Sequence, residues 1–388
     1  MRFFVRTAAG AAVAALALAG CGSSSSGGSS SGSAAGGTSA GASSAPAASA
    51  AGGSDAAGSG AASAAPSGGA SSGGTTTGKT VKVGLAYDVG GRGDKSFNDL
   101  AAAGLDKAKQ SLTIQTKELS AVQGETDAQK GERLTLLAQS GYNPIVAVGF
   151  AYATALGKVA PKFPKTQFAI VDDNSIKAPN VEGLVFTENQ SSFLVGVAAA
   201  LASKTKHVGF IGGVQTPLIQ KFQAGFAAGV KAVDPSDKVD VAYLSQPPDF
   251  SGFNDPAKAK VTAQGMYDKG ADVVYHAAGG SGSGLFQAAA ASKKWAIGVD
   301  SDQYQSAPAD QKQWILTSAL KGVDVAVDSF IEGVAKGSFT AGFKRFDLKS
   351  GGVGYAKSNP ALQPYESKID DFASKITSGA LTVPETVG

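Results

Sequence analysis

The chain has 388 residues, 34 of them Lys or Arg and 31 Asp or Glu, for a formal net charge of +3, with one cysteine and two histidines. So mild a balance excludes a dedicated nucleic-acid binder, which would carry a basic stripe. A single thiol excludes internal disulfides and multi-cysteine metal sites, and two distant histidines argue against a zinc enzyme.

The first 78 residues carry only Arg2, Arg6 and Asp55 as charges. Arg2 and Arg6 flank a short cationic start, and Ala8 to Ala19 is an apolar run of signal-peptide length, too short to span a bilayer. It ends in Leu18-Ala19-Gly20-Cys21, where small residues precede the only thiol. This is similar to a bacterial lipobox, and the resemblance implies a signal peptide over 1–20, cleavage before Cys21 and a lipid on that cysteine. Residues 21–78 are then the lipidated cysteine and a Ser/Gly/Ala tether, too poor in apolar surface to fold and with a reach of roughly 40 Å as a coil. Gly73 to Thr80 matches the P-loop spacing of Gly, four residues, then Gly-Lys-Thr. A P-loop needs a strand before it and a helix after it. Here a low-complexity tail precedes it and the strand-like Val81-Lys82-Val83-Gly84-Leu85 follows, so the match is rejected.

From residue 79, apolar strands alternate with helices. Strands are expected at Val81–Tyr87, Thr113–Leu119, Ile145–Val148, Gln167–Val171 and Gly183–Phe186. The intervening helices are Phe97–Lys109 with Ser96 as N-cap, a helix opened by the capping box Thr126/Gln129 and closed at Gly141, and Thr154–Ala160. A helix at Ser192–Ala202 starts a second, similar series. Its strands are Val208–Ile211, Val239–Leu244, Val273–His276 and Ala296–Val299. Its helices are Leu218–Val233, Pro256–Lys269 (capped by Asp255) and Gly284–Ala291. Helices at Val323–Ala335 and Ile369–Thr377 close the chain. This alternation predicts an α/β protein with two Rossmann-like lobes, each a parallel sheet covered on both faces. Ligands of such sheets sit at the carboxyl ends of the strands.

Those ends carry the candidate residues. After the first strand comes Asp88-Val89-Gly90-Gly91, then Asp94-Lys95-Ser96-Phe97-Asn98, where Phe97 is either a staple against the next turn or an exposed ring. Later ends carry Phe250-Ser251-Gly252-Phe253-Asn254-Asp255, the glycine-rich run Ala278 to Gly284, and Asp300-Ser301-Asp302. The glycine run is either an anion nest or a tight strand-to-helix turn, and it lacks the spaced acid of a dinucleotide fold. Asp172-Asp173 and Asp300/Asp302 pair as catalytic carboxylates would, yet acids after strands more often accept hydroxyl and amide hydrogen bonds or cap helices. His276 has no nucleophile elbow beside it and reads as a strand-end histidine.

The segments Asp88–Gly91 with Asp94–Asn98, Val148–Phe150, Phe168–Asp172, Ser192–Gly196, Val208–Gly213, Phe222–Phe226, Ala277–Gly280, Ile297–Asp302 and Thr317–Lys321 resemble, in order, the basic membrane protein family of bacterial lipoproteins. These are PnrA-like nucleoside-binding proteins of ABC transporters. The resemblance implies a type I periplasmic-binding-protein fold with two lobes joined by a hinge, a nucleoside (purine in this family) enclosed between them, and an ABC permease as partner. The lobes would comprise 79–188 plus about 303–340, and 189–302 plus about 341–388. It implies Phe97 on one face of the base and Phe253 on the other, with Phe250 close enough to compete for that role. Asp88 and Asn98 would meet the base edge, Asp300 and Lys321 the ribose, and Gly280 would offer backbone nearby. Arg92-Gly93 departs from the family pattern, which has an aliphatic and an acid there. The reading is a lipid-anchored extracytoplasmic solute-binding protein that uses no cofactor, binds no nucleic acid and catalyses nothing. The rivals are a sugar or autoinducer-type receptor feeding a sensor or transporter and, further off, a nucleoside hydrolase or nicotinamide-dependent oxidoreductase.

Overall fold

The computed structural model describes residues 80–388. The signal-peptide, Cys21 and tether expectations, and all but the last residue of the rejected P-loop match, lie outside the described residues.

The first series runs β1 (Val81–Ala86), α1 (Phe97–Ser111), β2 (Ile114–Leu119), α2 (Asp127–Gln139), β3 (Ile145–Ala147), α3 (Ala153–Val159), β4 (Phe168–Val171) and β5 (Val181–Phe186). The second runs α4 (Glu188–Ala202), β6 (His207–Val214), α5 (Pro217–Val233), β7 (Lys238–Ser245), α6 (Pro256–Asp268), β8 (Val273–Ala277), α7 (Gly282–Ser292) and β9 (Trp295–Asp300). The chain ends with the short helices α8 (Gln303–Ser306) and α9 (Ala309–Lys312), then β10 (Ile315–Lys321), α10 (Val323–Ala335), β11 (Gly342–Phe346), β12 (Val353–Tyr355) and α11 (Gln363–Thr377).

Two six-stranded sheets result, ordered β11-β5-β4-β3-β1-β2 and β12-β10-β9-β8-β6-β7. All pairings between these strands are parallel except that of β12 with β10. This is the α/β architecture with two Rossmann-like lobes that the alternation predicted. Side-chain alternation along each strand feeds two cores per sheet. Val83 and Leu85 of β1 pack toward α1 and α10, while Ala86 joins Leu134 and Leu137 of α2 on the other face. In the second sheet Val273 and Tyr275 pack beneath α4 and α5, and Val274 faces α6 and α7. Helix α4 is buried nearly all round, which explains its apolar run. Among the described residues no helix is long and apolar enough to cross a membrane.

Caps and lobe limits show where local sequence was and was not sufficient. Thr126 and Gln129 form the expected capping box, and Asp255 Oδ1 accepts from the Lys258 N–H at 2.9 Å. Ser96 occupies the N-cap position of α1 but makes no capping bond. Asp94 does that work, accepting from the N–H groups of Ser96, Asn98 and Asp99 at 2.9–3.1 Å. The expected allocation of 303–340 to the first lobe and 341–388 to the second also differs from the sheets. Strand β10 joins the second sheet beside β9, and β11 joins the first beside β5. The chain therefore passes between the sheets three times: at β5–α4, at β10–α10 and at β11–β12. Strand membership is decided by hydrogen-bond partners far away in sequence, which a short exposed strand such as Gly342–Phe346 does not advertise.

Candidate functional site

The carboxyl ends of β1, β3 and β4 in one lobe and of β8, β9 and β10 in the other converge on one cleft, as expected for open parallel sheets. The space between its walls, counted out to the open mouth, is about 550 Å³. The first lobe contributes Asp88, Val89, Asp94, Phe97, Asn98, Phe150 and Asp172. The second contributes Leu218, Ile219, Phe222, Phe253, Ala277 to Gly279, Val299, Asp300 and Lys321. Four phenylalanines and several aliphatic side chains therefore surround four carboxyls and one ammonium.

The cleft is closed by bonds between lobes. Ser96 Oγ donates to Asp300 Oδ2 at 2.6 Å, Ser301 Oγ to the Lys95 carbonyl at 2.7 Å, and Lys95 Nζ to the Ser306 carbonyl at 3.0 Å. Lys95, Asp172 and Asp300, all at these contacts or in the cleft wall, have left-handed backbones with φ of 52°, 68° and 64°. Such non-glycine conformations cost on the order of 1–3 kcal/mol each and persist only where the surroundings enforce them.

In the cleft wall, the buried Asp88 accepts the Val89 N–H on Oδ1 at 2.8 Å. Burial pushes its carboxyl up to about 7, against the pull of that N–H and of Lys130. The close fit of Asp88 Oδ2 requires Gly149, where an added Cβ would come within 2.4 Å of it and where φ is +106°. Asn98 lines the cleft, but its polar atoms are engaged in the loop. Oδ1 accepts the Asp88 N–H at 3.0 Å, and Nδ2 donates to Asp94 Oδ2 at 3.0 Å and to the Val89 carbonyl at 3.4 Å. The geometry makes Asn98 a brace for Asp88 more than a free partner for a ligand.

Lys321, also in the wall, closes β10 with its Nζ 2.6 Å from Asp172 Oδ2 and 3.4 Å from Glu188 Oε1. It also lies 5.1 Å from the Phe97 ring centre and 5.6 Å from that of Phe222, a cation–π arrangement. Burial alone would lower this ammonium, but Asp172, Glu188 and Asp300 outweigh it and push it up. Burial raises Asp300 to about 6, opposed by Lys321 and by the Ser96 hydroxyl.

Phe253 lines the cleft opposite the lobe that carries Phe97. Its ring lies so close to Gly213 that a Cβ there would approach Cδ1 to 2.5 Å. Ser281 pins the turn, donating to the Gly252 carbonyl at 2.8 Å and accepting the Asp255 N–H at 2.7 Å. Phe250 is not among the lining residues; it packs edge-on against Phe150 with ring centres 6.0 Å apart, joining the lobes at the rim. Gly280 is displaced too: its neighbour Gly279 lines the cleft, while Gly280 faces Asn254 and Asp94 beside it. Thus Asp88, Phe97, Asn98, Phe253, Asp300 and Lys321 come together around one cavity, and Gly280 does not. The sequence reading missed Phe150, Phe222, Leu218 and Ile219. The strand-end position of Phe150 was a usable signal; the other three open or face inward from α5, where only the lobe arrangement shows what they meet. His276 is buried at the end of β8, its Nε2 3.0 Å from Gln303 Oε1. Because that oxygen also accepts the Val299 N–H, the imidazole donates from Nε2.

The family model described as ABC transporter substrate-binding protein, PnrA-like, matches residues 81–387. The chain belongs to this family. It is 36% identical over 323 residues to the CD4+ T-cell-stimulating antigen of Listeria innocua, covering 79% of this chain and 89% of that one. It is 34% identical to the ABC transporter nucleoside-binding protein BmpA of Lactococcus lactis, covering 78% and 89%. Among solved structures, an ABC transporter solute-binding protein from Aeropyrum pernix superposes with a TM-score of 0.68 at 28% identity, over 78% of this chain and 94% of that one. Family membership makes the cleft that of a solute-binding protein of ABC transporters, with a small-molecule ligand and a permease as partner.

Proposed function

We propose that this PnrA-like protein is a lipid-anchored extracytoplasmic receptor that closes on a nucleoside, a purine nucleoside by preference, and delivers it to its permease. The observation that carries the reading is that Phe97 and Phe253, from opposite lobes, line one cavity together with Asp88, Asp300 and Lys321. A flat neutral base fits between rings, each stacking face contributing about 1–3 kcal/mol. Asp88 then meets the base edge, held by Asn98, and Asp300 accepts the ribose hydroxyls by charge-assisted bonds. The resemblance to the nucleoside-binding BmpA supports the same ligand class.

Charge narrows the class further. Asp88, Asp94, Asp172 and Asp300 line the cavity against Lys321 alone, and Lys321 is already paired with Asp172 and Glu188. A phosphate would enter this excess of carboxylates unpaired, so the cleft favours nucleosides over nucleotides. In this reading closure is a binding step and no bond of the ligand is broken. The anchor rests on the Leu18-Ala19-Gly20-Cys21 segment. Calorimetric titration with nucleosides, their free bases, nucleoside monophosphates and pentoses tests the reading. Nucleosides should bind most tightly and monophosphates weakly. Binding of a pentose without any nucleoside would give the cleft to a sugar instead.

A further inference from the structure

Where the chain passes between its sheets, three ionisable side chains are shut away from water with too few hydrogen bonds among them. Glu188 opens α4 just after the first crossing, Lys321 closes β10 just before the second, and Asp172 directly follows β4 in the first lobe. The side chains of all three are at most 5% exposed. Lys321 faces Asp172 and Glu188 and is otherwise flanked by the rings of Phe97, Phe186 and Phe222. Asp172 Oδ1 and both carboxyl oxygens of Glu188 remain buried without a hydrogen-bond partner.

The other groups facing this cluster offset the imbalance only in part. Asp300 approaches Lys321 from β9, and Asp173 adjoins Asp172. Lys221 from α5 and Arg345 from β11 line the neighbouring cavity that Asp172 and Glu188 also border. Tyr275 from β8 is neutral and bonded to Ser192 at 3.1 Å. At this cluster Lys321, with the more distant Lys221 also drawing on Asp172 and Glu188, stands against Asp172, Glu188 and Asp300. A buried carboxylate that accepts no hydrogen bond and shares its one close cation with a second carboxylate is relieved by taking up a proton.

We propose that Glu188 carries a proton in the closed cleft and that ligand binding takes this proton from solution. Asp172 belongs to the first lobe, whereas Glu188 and Lys321 lead into and out of the second, so parting the lobes pulls the cluster open to water. Burial, which raises Glu188 to about 7 and raises Asp172 as well, agrees with this arrangement. In an open cleft both carboxyls titrate as ordinary acids near about 4. Between that value and about 7 the closed form binds more protons than the open form. Affinity therefore rises as pH falls through this window, by at most about tenfold per unit for one proton, and is level above it. The nucleoside reading enters only in the choice of probe.

Asp88 and Asp300 also sit raised by burial, but they line the ligand cavity; Glu188 does not, so Glu188→Gln isolates its proton. The full chain and this variant are titrated with inosine at pH 6 in two buffers of different ionisation enthalpy. The variant should take up nearly one proton fewer, and its affinity should vary less between pH 5 and 7; Glu188→Asp, which keeps the acid, should retain the uptake. Equal proton counts in wild type and Glu188→Gln overturn the proposal. A second arm repeats the two-buffer titration with guanosine, adenosine and ribose. Proton uptake that accompanies ribose binding and is lost in Glu188→Gln, with no heat from any nucleoside, would refute the nucleoside reading and leave the proton site standing. Equal proton counts in wild type and variant with whichever of these ligands binds overturn the proposal.

Discussion

Replacing Asp300 by Ala separates what the cleft does for a ribose from what it does for closure. Asp300 Oδ2 accepts the Ser96 hydroxyl at 2.6 Å from the opposite lobe, so the carboxylate is part of the clasp even before a ligand is considered. A hydrogen bond to a charged group contributes about 1.5–3 kcal/mol, or roughly ten- to 150-fold in Kd. Losing the clasp should therefore weaken every ligand that needs the closed cleft, free base included, by about that factor. A ribonucleoside should lose a second increment of similar size when its hydroxyls no longer find the carboxylate. Alanine keeps a Cβ at the left-handed backbone of Asp300, so relief of strain does not confuse the comparison as glycine would. Calorimetry on wild type, Asp300→Ala and Ser96→Ala, each with a nucleoside and its base, reads both increments. Ser96→Ala should reproduce the loss common to both ligands and none of the extra loss for the nucleoside. If Asp300→Ala penalises base and nucleoside equally, Asp300 shapes the closed state without touching sugar, and the ribose assignment is wrong.

Phe253→Ala should weaken nucleoside binding by about 1–3 kcal/mol, whereas Phe250→Ala, which touches the rim through Phe150, should lose only the edge-on pair, about 0.5–1.5 kcal/mol; fluorescence or calorimetric titration ranks the two, and the reverse order would place Phe250 in the slot. Burial lowers the His276 imidazole to about 4 from an ordinary 6.5, so the unfolded chain takes up a proton first as pH falls and wild-type stability drops through that window. His276→Gln should remove about 3 kcal/mol of that pH dependence, measured by urea unfolding at pH 7 and pH 4; an unchanged dependence would show the imidazole to be solvated. Cys21→Ser should leave the protein unprocessed or released from the membrane fraction, with ligand affinity of the folded part unaltered; normal processing and retention would refute the lipid anchor.

The elements most legible in the sequence are those whose signals are local. Helix α2 announces itself through Thr126 and Gln129, and α6 through Asp255 and Pro256, because a cap and the N–H groups it satisfies lie within one turn. The strands with buried alternation, such as β1 and β6, were found for the same reason: neighbouring residues face opposite cores. The Asp94-to-Asn98 segment was recognised as part of the cleft, but the roles within it were not. Ser96 has the composition of a cap, yet its hydroxyl crosses to Asp300 and Asp94 caps in its place. Asn98 has free donors and acceptors in the sequence and almost none in the folded loop.

By itself the sequence determined the two-series alternation, hence two parallel sheets, and the strand-end residues Asp88, Phe97, Phe253 and Asp300 that the cleft gathers. Periodicity and turn chemistry act over a few residues, and the strand-end rule converts them into a site. Only the tertiary structure decided that β10 and β11 exchange lobes, that Phe222 of α5 joins the wall, and that Phe250 stands outside it. It also decided that Lys321 meets both Asp172 and Glu188, from 149 and 133 positions away along the chain. Such meetings depend on which sheet edge each late strand finds and on how closely the lobes approach. Those outcomes are settled by the free energy of the whole packed molecule, since no short window of sequence contains both partners.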